Sequence, residues 1–114
     1  MNCRIVVTPT FSRESKKLSK RYPSFADDFE SFLLNLKENP SLGTSIGHGI
    51  HKIRFAITSK GKGKRDGARV ISPVNVVLEL NQQEVTLLTI YDKSYKENIT
   101  DQEIIQLLQE AGIE

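Results

Sequence analysis

Cations are concentrated in the middle of this 114-residue chain. Residues 52 to 69 contain seven lysines and arginines and one acid, Asp66, a local charge of +6, whereas five acids and neither lysine nor arginine follow from residue 97 onward. Arginine binds phosphate oxygens through paired hydrogen bonds, and lysine acts as a point charge. The asymmetry therefore predicts a polyanion or an acidic partner for the central segment. The alternative is a solvated run of surface charge.

The residues best suited to chemistry fall on, or just after, predicted strands. They are Lys52, Arg54, Arg69 and Lys93, together with Tyr91 and Tyr95. In an antiparallel sheet these elements can be neighbours, so the cations could converge on one phosphate while a phenol ring stacks on an unstacked base. The alternative is scattered surface charge beside a tyrosine at the edge of the core.

A second group of cations lies in the glycine-containing stretch SKGKGKRDGARV, residues 59 to 70. Its glycine spacing is neither that of a dinucleotide fold nor that of a phosphate-binding P-loop. The sequence predicts a flexible arm that follows phosphates without reading bases, and its RNA- or ribosome-binding residues are Lys60, Lys62, Lys64 and Arg65.

The residues that commonly bind metals are few. Cys3 is the only cysteine, so neither a disulfide within the chain nor a multi-cysteine zinc site is expected. His48 and His51 are three residues apart without accompanying carboxylates. His51 falls on the apolar side of its strand and is expected to be structural. If the strand begins early, His48 shares the side of Lys52 and Arg54, which leaves a minor site role open for it. We predict no metal and no cofactor.

These residues must be positioned by a small α+β domain covering residues 1–114. Strand patterns occupy residues 4–8, 50–57, 67–80 and 84–91, with Pro73 expected at an edge, a bulge or a break in the third. Apolar residues at helical spacing predict helices over 11–22 and from 25 to the Asn39-Pro40 stop, with the phenylalanines of the second helix in the core. A capping box, Thr100 to Glu103, starts a last helix. The order β-α-α-β-β-β-α predicts an antiparallel sheet with an N-terminal helical hairpin and a C-terminal helix.

The chain has neither a signal-peptide pattern nor an apolar run of about 18 residues. The sequence therefore predicts a cytoplasmic protein with no membrane partner.

Taken together, the motifs resemble the RelE/ParE superfamily of type II toxins, and most closely its HigB-like RelE branch. The similar pieces are F-x-x-x-x-K-K-L-x-K-x-Y-P at 11–23, a helix ending in N-P followed by G-T, H-K-I-R-F at 51–55, S-K-G-K-G-K-x-x-G-A-R-V at 59–70, L-L-T-I-Y-D-K-S at 87–94, and a helix after N-I-T. The resemblance implies a small twisted antiparallel sheet with packed helices. It also implies a metal-independent endoribonuclease that cleaves mRNA on the ribosome, with the 2′-OH attacking the adjacent phosphate, and so inhibits translation.

The resemblance also implies roles for the cations. Arg54 and Arg69 would hold the scissile phosphate and stabilise the transition-state charge. Lys52 would be the general base, with its pKa lowered by the neighbouring arginines, and Lys93 would protonate or neutralise the leaving oxygen. Some relatives carry a functional tyrosine near the last helix; residues 97–99 contain none, and Tyr91 or Tyr95 would replace it.

The implied partners are a cognate antitoxin, the ribosome and mRNA, with operator DNA contacted only through the antitoxin complex. Two alternatives stay open at this point. One is a ParE-like DNA gyrase inhibitor on the same fold, against which the retained cations argue. The other is a non-catalytic nucleic-acid-binding or regulatory module.

Overall fold

A computed structural model describes residues 2–61 and 66–113. Within them, three α-helices and six strands follow the order β1 (Asn2–Val7), α1 (Pro9–Arg21), α2 (Phe25–Glu38), β2 (Thr44–Ser45), β3 (Ile50–Phe55), β4 (Ala68–Val77), β5 (Gln82–Leu87), β6 (Thr89–Asp92) and α3 (Asp101–Glu110). The predicted α+β class, the N-terminal helical hairpin and the C-terminal helix are confirmed. No helix in this part of the chain has the length and apolar character needed to cross a membrane.

Local capping sets where the first and last helices begin. Thr8 accepts a hydrogen bond from the Phe11 amide, which satisfies one of the free amides at the start of α1. The Thr8 hydroxyl also donates to the Leu88 carbonyl oxygen at 2.9 Å and so ties the helix to the sheet. At α3, the capping box between Thr100 and Glu103 is present in both directions, as predicted.

The sheet is mixed, which corrects the antiparallel sheet predicted above. Its order is β1-β5-β4-β3-β2, with β6 also paired to β4. The pairs along β3, β4, β5 and β6 are antiparallel, but β1 runs parallel to β5, with Ile5 opposite Val85. Parallel pairing needs a long connection, and the helical hairpin followed by β2 to β4 supplies one. Strand patterns alone did not reveal this pairing.

Strand β4 is continuous through Pro73, and the irregularity lies on its partner. Val74 lies opposite Val85, whereas Ile71 lies opposite Thr89. Between these two pairs, β4 advances by three residues while its partner strands advance by four. The extra residue forms a bulge at the junction of β5 and β6. Pro73 cannot donate to the ladder, so the predicted single strand over 84–91 is divided there into β5 and β6.

Two apolar clusters lie on opposite faces of the sheet. The larger one joins α1 and α2 to inward residues of β3 and β4, and the Phe25 and Phe55 rings are 5.4 Å apart. The predicted core role of the α2 phenylalanines is confirmed. The second cluster lies beneath α3 and contains Ile50, Ile71, Leu88, Tyr91, Ile99 and Ile104. The face that carries α3 also carries the outward residues of β3.

Candidate active site

Three adjacent strands place the candidate residues in rows across one face of the sheet. Arg54 on β3 lies directly opposite Arg69 on β4, and Arg69 lies directly opposite Tyr91 on β6. Lys52 lies two residues before Arg54 and therefore on the same face. Side chains directly opposite in antiparallel strands are close enough to interact, so these rows form one group of neighbouring side chains.

Lys52 is half-buried and held by a single described acceptor. Its Nζ donates to Oδ1 of Asn98 at 2.7 Å. Burial lowers the pKa of Lys52 below its ordinary value, and the positive charges of Arg69 and Lys93 lower the pKa further. The direction is the one expected for a general base, although burial is the largest cause and Arg54 is not among the causes.

The two arginines of the row differ sharply in exposure. Arg54 is exposed, whereas Arg69 is only 5 % exposed and donates from Nη1 to the Ala68 carbonyl oxygen at 3.0 Å. Burial and the charge of Arg54 lower the pKa of Arg69, but arginine keeps its proton in proteins at neutral pH. Arg69 thus supplies a fixed positive charge from beneath the surface, and Arg54 supplies one at the surface.

Lys93 follows β6 and completes the cation cluster, defined here as Lys52, Arg54, Arg69 and Lys93. Its backbone amide donates to the Gly67 carbonyl oxygen at 3.1 Å, which fixes it beside the start of β4. Its charge acts on Lys52, as does that of Arg69. The structure therefore brings together the four residues predicted for catalysis.

Gly67 allows β4 to begin tightly against β3. A Cβ built on Gly67 would lie 2.2 Å from the carbonyl oxygen of Phe55, far inside van der Waals contact. The close approach brings Arg69 into register with Arg54 only two residues later. The glycine before Ala-Arg in the sequence therefore has a packing reason.

The two tyrosines do not lie where an RNA base could be stacked on both. Tyr91 is only 8 % exposed, with its ring in the cluster beneath α3, so it offers no open ring face on which a base could stack. Its hydroxyl finds no hydrogen-bond partner among the described residues. Tyr95 is 70 % exposed, and the Arg21 guanidinium of α1 lies 4.1 Å from its ring centroid. Of these two tyrosines, Tyr95 is the one with an accessible ring.

Lys60 is not a loose phosphate-binding cation, which corrects its place in the predicted arm. Its Nζ donates to the Asp66 carbonyl oxygen at 2.9 Å, to Oδ1 of Asp92 at 2.7 Å and to Oγ of Ser94 at 2.8 Å. An ammonium has three donors, so all are used internally. The other predicted arm residues, Lys62, Lys64 and Arg65, lie outside the described residues.

Asp92 is the centre of a buried polar network that the sequence did not reveal. Burial raises the pKa of Asp92, but hydrogen bonds from Lys60 and Tyr22 and from the Ser94 amide lower it more, so the net pKa lies below the ordinary value. Burial and the same bond to Asp92 raise the pKa of Tyr22 to about 12. Arg21 also lies 3.9 Å from Asp92. Tyr22 and Asp92 are 70 residues apart, so no local pattern identifies the network.

The two histidines precede the cation cluster along the chain, His48 just before β3 and His51 on β3 next to Lys52. His48 is exposed with a φ of 54°, and His51 is half-buried on β3. Within residues 2–61 and 66–113, no group of three or more histidine, cysteine, aspartate or glutamate side chains is arranged to hold a metal ion.

One comparison with solved structures bears on this arrangement. The E. coli toxin RelE, in a free-state structure of a variant with two arginine-to-alanine substitutions, superposes with a TM-score of 0.53 over 98% of this chain and 96% of that one, at 15% sequence identity. The chain has the fold of RelE. At this identity the likeness shows the fold and not the HigB-like branch. No protein-family model matches the chain, and no curated protein sequence matches it.

Proposed function

We propose that this chain is the toxin of a type II toxin–antitoxin system and that it inhibits translation by cleaving mRNA on the ribosome. The observation that carries the proposal is the cation cluster: four positive side chains from three neighbouring elements on one face of a RelE-like sheet. Because like charges repel, four cations held close together form a site of positive potential that favours the binding of an anion such as a phosphate group.

The proposed reaction joins the 2′-oxygen of a ribose to the adjacent phosphorus and breaks the bond from phosphorus to the next 5′-oxygen. Lys52, in its neutral form, takes the 2′-OH proton. The 5′-oxygen leaves with a proton or with its charge neutralised by Lys93. The products are a 2′,3′-cyclic phosphate and a 5′-hydroxyl end, so atoms and charge balance without a co-reactant.

The arginines stabilise the transition state in this scheme. Arg54, exposed at the surface, contacts the phosphate oxygens directly. Arg69, nearly buried, adds positive charge from beneath, where less water screens it. Its charge also lowers the pKa of Lys52 and so increases the neutral fraction of the base at physiological pH.

The partners of the proposal are mRNA, the ribosome and a cognate antitoxin in the cytoplasm, with operator DNA bound only through the antitoxin complex. Tyr95 is the aromatic residue left to contact a base, because its ring is exposed. Lys62, Lys64 and Arg65 remain proposed as the part of the arm that follows ribosomal phosphates.

The first prediction concerns Arg54, whose exposed side chain can be truncated with little effect on the core. Arg54→Ala is expected to lower the rate of mRNA cleavage on purified ribosomes by about 100-fold, as loss of one transition-state donor does in other sites. Lys20→Ala is the matched control, because it removes one exposed charge from α1. The measurement is single-turnover cleavage with mapping of the new 5′ ends, together with the melting temperature of each variant.

Two results would contradict the proposal. One is cleavage by Arg54→Ala at the wild-type rate. The other is an induced cell that stops incorporating labelled thymidine while amino-acid incorporation continues, which would favour a gyrase target.

A further inference from the structure

The segment between β6 and α3 reaches the cation cluster through one side chain, that of Asn98. Its Oδ1 accepts from Lys52 Nζ at 2.7 Å and from the amide of Ile99 at 3.0 Å. Ile99 is 9 % exposed within the cluster beneath α3, and Thr100 caps the helix. Although Asn98 is exposed, its amide oxygen is therefore held in place by the residues that follow it.

We propose that Asn98 is a positioning residue for Lys52: its amide oxygen fixes the direction of the ε-amino group and favours the protonated form. The catalytic part of this inference rests on the proposed function. The effect on the protonation of Lys52 does not, because it can be measured without any substrate.

The direction of the amine matters because a general base must turn its lone pair towards the proton it removes. A neutral amine has two N–H bonds and one lone pair. When one N–H is directed at Asn98, the lone pair is directed elsewhere, and rotation about the last bond of the side chain is restricted. Without Asn98 the described residues offer no second acceptor to Lys52, so the amine would sample several orientations.

The protonation of Lys52 matters because its other neighbours all act in one direction. Arg69 on β4 and Lys93 at the end of β6 are cations that lower the pKa of Lys52, and burial lowers it as well; Arg54, on the same strand, is not among the causes. A hydrogen bond from an ammonium to a carbonyl oxygen is stronger than one from a neutral amine. Asn98 thus opposes the cations and keeps Lys52 protonated to a higher pH than they would allow.

The test uses two substitutions with opposite expected signs. Asn98→Ala removes the acceptor and is expected to lower the pKa of Lys52 by about one pH unit, whereas Asn98→Asp places an anion there and is expected to raise it by about one pH unit. The pKa is measured from the ¹³Cε shifts of labelled lysine in the free protein, and Lys52→Arg assigns the signal. Asn75→Ala and Asn75→Asp, at an exposed site on β4, are the matched controls and are expected to leave the pKa of Lys52 within a few tenths of wild type.

Cleavage on ribosomes tests the catalytic part. Asn98→Ala is expected to reduce single-turnover cleavage about 10- to 100-fold and to move the pH profile to lower pH. Asn98→Asp is expected to move the profile to higher pH. An unchanged pKa of Lys52 in both variants would overturn the inference, as would wild-type cleavage with a wild-type pH profile in Asn98→Ala. If the wild-type chain cleaves no mRNA, the proposed function fails, and the titration alone still decides whether Asn98 controls Lys52.

Discussion

Two lysines eight residues apart have opposite environments in this molecule. Lys60 directs its ammonium at three oxygen acceptors, one of them the carboxylate of Asp92. Lys52 has one described acceptor and two cations close enough to lower its pKa. The sequence presents both as cations of the same basic segment, because two of the three acceptors of Lys60, on Asp92 and Ser94, lie more than 30 residues further along the chain. Burial and partners, rather than charge, separate the structural lysine from the candidate base.

The buried pair of Lys60 and Asp92 leads to a prediction about stability and pH. The two side chains are 9 % and 3 % exposed, and removing one partner leaves the other charge buried. Asp92→Asn is expected to lower the free energy of unfolding by about 3 kcal/mol at pH 7. The measurement is urea unfolding followed by circular dichroism, with the exposed Asp27→Asn as control, expected to cost less than about 1 kcal/mol.

The sign of the pH dependence follows from the lowered pKa of Asp92. A carboxyl whose pKa in the folded protein lies below its ordinary 3.8 contributes stability that is complete above that value and is lost as the pH falls through the folded pKa. The difference between wild type and Asp92→Asn should therefore shrink below about pH 4. A difference that stays constant down to pH 2 would show that the pair is not the cause.

At the scale of elements, the sequence predicts what is local and misses what is paired at long range. Helical spacing and caps placed α1, α2 and α3 because those signals lie within a few residues of each other. The parallel pairing of β1 with β5 joins residues about 80 apart in the chain, and the bulge opposite Pro73 depends on how β4 pairs with both β5 and β6. The alternation of apolar and polar residues along β3 was enough to predict that Lys52 and Arg54 share its outward face. The burial of Tyr91 was not predictable in this way, because it depends on packing against α3.

The junction of β3 and β4 gives a prediction about Gly67. Gly67→Ala is expected to lower the free energy of unfolding by about 3 kcal/mol, since the new Cβ would meet the Phe55 carbonyl oxygen and one strand would have to move. Gly61→Ala is the control: its Cβ would meet nothing within 4 Å, but its φ of +70° is unfavourable for alanine and costs about 1–2 kcal/mol. Thermal unfolding of both variants separates contact from backbone strain. Equal losses would mean that the close approach is not maintained.

At the scale of the whole molecule, charge is divided between the basic central segment and the acidic C-terminal end. The arm and three of the four residues of the cation cluster belong to the basic segment, Lys93 joins them from the end of β6, and α3, with no lysine or arginine, covers the adjoining apolar surface. The fold shared with RelE was predictable from the order of motifs. Lys60 was assigned to the arm because no local sequence pattern reveals its ion pair with Asp92, a buried carboxylate on β6.

The remaining arm cations give a prediction for association with ribosomes. Replacing Lys62, Lys64 and Arg65 with glutamine, with Lys60 intact, is expected to weaken association and to reduce its salt dependence, because fewer counterions are released from RNA. The slope of log affinity against log salt concentration should fall by about 2, and the melting temperature should stay the same. An unchanged slope would make this stretch a solvated loop without a binding role.

Strand β4 has a consequence for how this chain can change in evolution. Ala68 and Val70 enter the cluster beneath α1 and α2, whereas Ile71 enters the one beneath α3, and Arg69 supplies charge beside it. Side chains alternate from one face to the other, so inserting or deleting one residue before Arg69 would exchange the two sets. The guanidinium would then lie among phenylalanines and an aliphatic side chain among the cations. Single substitutions can therefore be tolerated along this strand, whereas a one-residue insertion or deletion between Gly67 and Pro73 is expected to disrupt both apolar clusters at once.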